Sequence, residues 1–215
     1  MKKKCKKILF FCLIAVVISV SCTKSEPEIT YGFINLVLYQ SDDQPVEHFS
    51  FFIIPEDEDG IENLEELYLY HDREQLQWNI KSDEWLHSTH DGRDWIGTRS
   101  ITAAGGSLPR GVFRAVLINK GGESTQRTFT YDGRIRFPFP ELEISGGVYN
   151  VTSLWPVNRL VCYDSSGNYL TTVTLTGNSG SVSQLRLPSL VRSAALWAED
   201  EANACSAFTY VVPIN

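Results

Sequence analysis

The chain has 215 residues, with 26 Asp and Glu against 19 Lys and Arg, a formal charge of −7 and 12% aromatic residues. That length suits one large or two small cores. The acidic balance argues against nucleic acid as a partner and against a body lying flat on anionic lipid. No apolar run after Val20 approaches the roughly 18 residues of a spanning helix.

The first element is a leader. Five lysines stand in the first seven positions, and an apolar run follows from Ile8 to Val20 before Cys22. This is the pattern of a secretory signal peptide. Ser19-Val20-Ser21-Cys22 resembles a bacterial lipobox, with Ser19 where leucine is usual. Removal of residues 1–21 would leave Cys22 as a lipidated N-terminus. Each buried CH₂ of an acyl chain contributes about 0.8 kcal/mol, and two or more chains anchor stably. Residues 22–28 are expected to form the lipidated tether. The expected location is the bacterial cell envelope, on its periplasmic side or at the cell surface. The leader takes five lysines and no acid with it, so the charge moves to −12 on 194 residues.

The body reads as β-rich, taken in chain order. Phe49 to Ile54 is a buried strand. An acidic insertion follows over residues 56–66, where Ile61, Leu64 and Leu67 also hint at a helix of two turns at most. Leu67–Tyr70 and Leu76–Trp78 flank a polar turn and predict a hairpin. An aromatic stretch runs from Trp85 to Trp95. Val112 to Ile118 and Thr125 to Tyr131 flank Asn119-Lys120-Gly121-Gly122 and predict a second hairpin.

A repeat emerges when residues 108–131 are laid over 187–210, an offset of 79. Leu108/Leu187, Pro109/Pro188, Val112/Val191, Ala115/Ala194 and Leu117/Leu196 agree, as does the Phe-Thr-Tyr ending of each. Upstream, the hairpin around Leu67–Trp78 corresponds to Leu160–Leu175, and Phe49–Ile54 to Val148–Leu154. The order resembles an immunoglobulin-like or fibronectin-III-like sandwich. The fold expected is all-β: two tandem antiparallel sandwiches, at 29–133 and a smaller one at 134–215. Charge supports the cut, with 20 acids and 9 bases over residues 23–133 but 6 and 5 over 134–215.

The stretch from Glu56 to Trp85, the Asp94–Gly97 tetrapeptide and residues 108–119 together resemble spirochaete-type lipoproteins with such domains. That resemblance implies an exported, lipid-anchored protein. It carries no activity and no catalytic or binding residue.

Candidate sites are few. Asp57, Asp59, Asn63 and Glu66 offer hard oxygen ligands around Gly60, as a calcium loop does, but an EF-hand would need Pro55 as its first ligand. His87 and His90 could meet on one metal only across a turn. Trp85 and Trp95 are candidates for binding by stacking or as anchors, whereas Trp78 reads as core. Cys162 and Cys205 could pair, or sit as two buried thiols. No nucleophile elbow, Walker loop or dinucleotide motif occurs, and His71-Asp72 reads as turn chemistry rather than a dyad. The expectation is no enzyme and no catalytic residue, with no cofactor unless calcium. The expected role is a non-catalytic protein-binding or structural module for an envelope or extracellular protein. Glycan or calcium binding is the alternative.

Overall fold

The structure is a computed structural model and describes residues 25–214. The leader and Cys22 lie outside the described residues. Sixteen strands are present among the described residues: β1 (Glu28–Tyr39), β2 (Val46–Glu56), β3 (Leu64–His71), β4 (Leu76–Lys81), β5 (Leu86–His90), β6 (Arg93–Ile101), β7 (Gly111–Asn119) and β8 (Ser124–Tyr131), then β9 (Glu141–Ser145), β10 (Val148–Thr152), β11 (Val157–Tyr163), β12 (Tyr169–Thr174), β13 (Ser179–Ser181), β14 (Ser193–Asp200), β15 (Cys205–Phe208) and β16 (Val212–Pro213). The chain is all-β; its helical elements among the described residues are four short 3₁₀ turns.

In the first half β1-β2-β6-β5 lie side by side and face the sheet β4-β3-β7-β8. Lettered in chain order, these are A-B-E-D against C′-C-F-G, the strand order of an immunoglobulin-type sandwich. The second half repeats it without an equivalent of β5, and with β16 added beside β14. The sheet β9-β10-β13 faces β11, β12, β14 and β15, ordered β12-β11-β14-β15. The paired segments of the sequence repeat thus occupy equivalent places. The gapless offset slips at the turns, however. Asn119 and Ser124 bracket the first loop, Asp200 and Cys205 the second, so the hairpins correspond two residues later than the alignment implies.

Strand alternation builds each core. Phe49, Phe51 and Ile53 of β2 point inward with Leu67 and Leu69 of β3 and Phe113 of β7, and all six are fully buried. Phe49 meets Phe113 edge-on at 5.5 Å. The second core gathers Tyr149, Val151, Leu160, Cys162 and Leu196.

The two sandwiches are not separate sheets joined by a linker. β1 pairs with β15 in parallel, Leu36 with Cys205 through Tyr39 with Phe208. One nine-stranded sheet therefore crosses both halves, β12-β11-β14-β15-β1-β2-β6-β5, with β16 beside β14. This seam is a parallel pairing within a fold whose other strand pairs are antiparallel. It forms because β1 is long and apolar on both faces, so its free edge needs a partner. Ala198, Cys205, Ala207 and Trp155 of the second half also enter the first core.

Two local expectations change. The helix signal at residues 60–67 is a 3₁₀ turn, Ile61–Asn63, followed by β3. A bulge between Leu64 and Glu66 puts Leu64 and Leu67, three apart, on one buried face. The tether expected over 22–28 is docked from Ser25 onward. The Ser25 carbonyl accepts from Asn119 Nδ2 at 3.0 Å, Pro27 is buried, and Glu28 opens β1.

Candidate functional site

Because side chains alternate along a strand, the nine-stranded sheet has a second face, turned away from both cores. It is unusually aromatic. On the first half Trp95 packs against Tyr31 at 5.8 Å and Phe33 at 5.5 Å, and Phe33 stacks on Phe52. At the seam Tyr39 meets His48 at 4.8 Å and Phe208 at 6.0 Å, and Phe208 meets Trp197 at 5.8 Å. Tyr163 and Tyr169 continue the row onto β11 and β12.

Two adjoining hollows run along this face. One, of about 340 Å³, has Asn35, Val37, Ser50 and Ser206 among its lining, with Phe33 and Phe52 to one side. The other, of about 660 Å³, lies over β11 and β12 and is lined by Val161, Tyr163, Tyr169, Thr172 and Phe208. Tyr39, Arg99 and Trp197 line both hollows, so the two form one groove across the seam. Volumes in this range suit a small molecule or a few units of a chain. Neither half alone could form the groove.

Charge is placed unevenly along it. Arg159 is ion-paired with Glu199. Glu199 and Glu201 line the smaller hollow, whereas the larger has no carboxylate in its lining. Arg99 owes its position to backbone irregularity: Phe51 pairs with Thr98 but Phe49 with Ile101, which leaves an extra residue on β6. Thr98 Oγ1 accepts from the Ser100 N–H at 3.2 Å within this bulge. Such bulges re-aim side chains. Next to it, Gly97 lies so close to β2 that a Cβ would stand 2.0 Å from the Phe51 carbonyl oxygen. Burial pushes the Tyr39 phenol up, opposed by the nearby Arg99 charge. Burial also holds the His48 imidazole below its ordinary value.

The residues singled out from sequence fall mostly elsewhere. Trp95 belongs to the aromatic face. Trp85 packs on the first core, as does Trp78, whose Nε1 donates to the Thr102 carbonyl at 2.7 Å. In the acidic loop Asp57 organises the turn, accepting from the Asp59 N–H at 2.9 Å and Asn63 Nδ2 at 3.0 Å. Glu66 instead accepts from the Tyr68 hydroxyl at 2.7 Å, on strand β3. Asp57, Asp59 and Asn63 therefore meet in one turn, and Glu66 stands apart from them. Among the described residues no three His, Cys, Asp or Glu side chains gather to hold one metal ion. His87 and His90 are separate: His87 Nε2 lies 3.0 Å from Asp94 Oδ1, His90 beside Asp91. His71, 1% exposed, accepts from the Glu74 N–H at Nδ1, which leaves Nε2 to donate to the Arg110 carbonyl at 3.1 Å. It braces a hairpin and joins no dyad.

Cys162 and Cys205 are free and buried, which corrects the pairing considered from sequence. Cys162 lies opposite Ala194 and Cys205 opposite Asp200, six residues apart on β14. That is about 20 Å along a strand, far beyond the reach of a disulfide. Burial pushes both thiols up.

No known family and no curated protein sequence matches the chain. Among solved structures it is similar to Tp47, the 47-kilodalton lipoprotein of Treponema pallidum, with a TM-score of 0.45 and 12% identity, over 92% of this chain and 53% of that one. It is similar to dimeric latent PorU of Porphyromonas gingivalis at 0.33 and 14%, over 88% and 20%, and to murine CEACAM1b at 0.26 and 8%, over 86% and 99%. The chain thus spans about half the length of the treponemal lipoprotein. Likenesses this distant assign neither a family nor an activity.

Proposed function

We propose that this chain is a lipid-anchored, non-catalytic binding protein of the bacterial envelope, and that its ligand is a saccharide chain laid along the aromatic groove. The observation that carries this reading is the row of Tyr39, Phe208, Trp197, Tyr163 and Tyr169 along one grooved face, interspersed with Arg99, Arg159 and Glu199. Aromatic rings offer apolar faces to the C–H faces of pyranoses, and the charged groups between them can bond the hydroxyls. A protein partner would be favoured by a broad apolar patch, whereas this face is furrowed and crossed by charge. The anchoring part of the proposal rests on the leader and Cys22.

The test is intrinsic tryptophan fluorescence and isothermal titration of the full chain in detergent against a library of oligosaccharides of four to eight sugars. Trp197→Ala and Tyr39→Ala should each weaken binding at least tenfold without loss of fold. A library that produces no heat and no fluorescence change would remove the saccharide reading and return a protein partner to first place. Cys22→Ala should move the chain out of the detergent phase on partition.

A further inference from the structure

We infer that the larger hollow takes an acidic sugar, with the anionic substituent bound by Arg99; this rests on the saccharide reading above. Four observations point the same way. First, Arg99 and Arg159 are the charged side chains that line this hollow, and it has no lining carboxylate. That is unexpected on a body with a formal charge near −12 after removal of the leader. Second, the two arginines differ. Arg159 is committed to Glu199. The Arg99 guanidinium makes no ion pair or hydrogen bond among the described residues. An uncommitted guanidinium presents its fork of donors to a ligand, and carboxylates and sulfates fit that fork with two parallel bonds.

Third, the β6 bulge carries Arg99 to the junction of the two hollows, where Tyr39 and Trp197 line both with it. A ring stacked on Trp197 or Tyr39 would hold a substituent towards Arg99. Fourth, the acids sit on the other side: Glu199 and Glu201 line the smaller hollow. Glu199 is already neutralised by Arg159, so Glu201 and Asp200, which also lines this hollow, would repel a second anionic group there, while the carboxylates accept from sugar hydroxyls. The groove is thus polar along its length, with an anion-accepting end over β11 and β12 and a hydroxyl-binding end over β1 and β2. A saccharide lies in it in one direction, and neighbouring sugars differ in charge.

The experiment is an array of neutral, uronate-bearing and sulfated oligosaccharides, probed with the full chain in detergent. Titration then follows with an oligosaccharide of six sugars in which a uronate alternates with a neutral sugar, and with its methyl ester, which keeps the ring and removes the charge. The wild-type chain should retain anionic glycans over neutral ones, and esterification should weaken binding at least tenfold. Arg99→Gln should remove that difference while Tm stays the same, because the side chain makes no hydrogen bond or ion pair among the described residues; Arg99→Lys should restore part of it. The uronate and sulfate arms decide which anion is taken. Equal retention of neutral and anionic glycans, or an unchanged preference in Arg99→Gln, would overturn the assignment of Arg99 and leave the saccharide reading standing. Retention of no glycan at all would overturn both.

Discussion

The Tyr131 hydroxyl and the Cys205 thiol share a buried hydrogen bond of 3.0 Å, although 74 residues separate them. Tyr131 ends the last strand of the first sandwich, and Cys205 begins the seam strand of the second. The same hydroxyl reaches the Ala204 carbonyl at 3.3 Å. Arg110 lies over the Tyr131 ring at 5.4 Å and is held by Glu47 at 3.2 Å, while its Nε donates to the Gly133 carbonyl at 3.0 Å. Burial pushes the phenol far up, so it stays neutral and keeps its proton to donate. This cluster closes the seam at the point where the chain passes from one sandwich to the next.

Tyr131→Phe should cost about 1 kcal/mol, the usual net worth of one such bond. The loss is moderate because the Ala204 carbonyl keeps the Leu36 N–H at 2.9 Å. Urea denaturation should show a lower midpoint with an unchanged slope. A midpoint equal to the wild type would mean that the hydroxyl contributes nothing to the seam.

Gly133→Ala should be far more damaging. An added Cβ would stand 2.2 Å from the Asn203 carbonyl oxygen and 2.4 Å from the Tyr131 hydroxyl. Overpacking against backbone costs about 3 kcal/mol. Gly105→Ala, with nothing within 4 Å of the new atom, is the matched control. Similar Tm values for the two variants would show that the strands are free to separate at this point.

Both body cysteines should be silent towards a thiol reagent in the native state. Cys162 and Cys205 are buried free thiols, and burial disfavours the reactive thiolate in each. Iodoacetamide should label neither at neutral pH, and both should be labelled once the chain is unfolded in guanidinium without reductant. Mass spectrometry of the two samples counts them. Labelling that needs a reductant would mean a disulfide and would contradict the strand register.

Stability should fall on mild acidification through His48. Burial lowers its folded pKa below the ordinary 6.5, so the folded state binds fewer protons than the unfolded one. Its contribution is complete above about pH 6.5 and is lost as pH falls through the folded pKa. Tm measured between pH 7 and pH 5 should therefore decline, and His48→Gln should decline less steeply. Parallel curves for the two would assign the effect to other groups.

Much of the fold was legible because its signals are local. The two hairpins of the repeat carry their own turns and alternation, so Leu108–Tyr131 and Leu187–Tyr210 match without reference to anything distant. The seam left no such mark: Leu36 and Cys205 meet edge to edge, and neither segment alone specifies the other. The groove was hidden for a related reason. In β1 the aromatics Tyr31, Phe33 and Tyr39 alternate with Ile34, Leu36 and Leu38, so both faces are apolar and alternation does not mark which one is turned outward. Trp197 and Phe208 lie inside the repeat, where no local pattern separates them from the core residues around them. Arg99 depends on a bulge, which no period reveals. The acidic loop, by contrast, was conspicuous in sequence yet uses Asp57 to hold its own backbone.

The parallel pairing of β1 with β15 also sets the order of events as the chain is made. Leu36 emerges early, and its partner Cys205 is added 169 positions later. At ordinary synthesis rates that gap is roughly 10–30 s. Throughout it, the first-born strand has β2 on one side and nothing on the other, with Leu36, Val37 and Leu38 along the open edge. Such an edge recruits other chains, and contacts this distant in sequence slow folding. The oldest part of the polypeptide is thus completed by nearly the youngest. A truncation before Ser193 would remove β14 and β15 together and leave the first sandwich with an apolar edge that nothing covers.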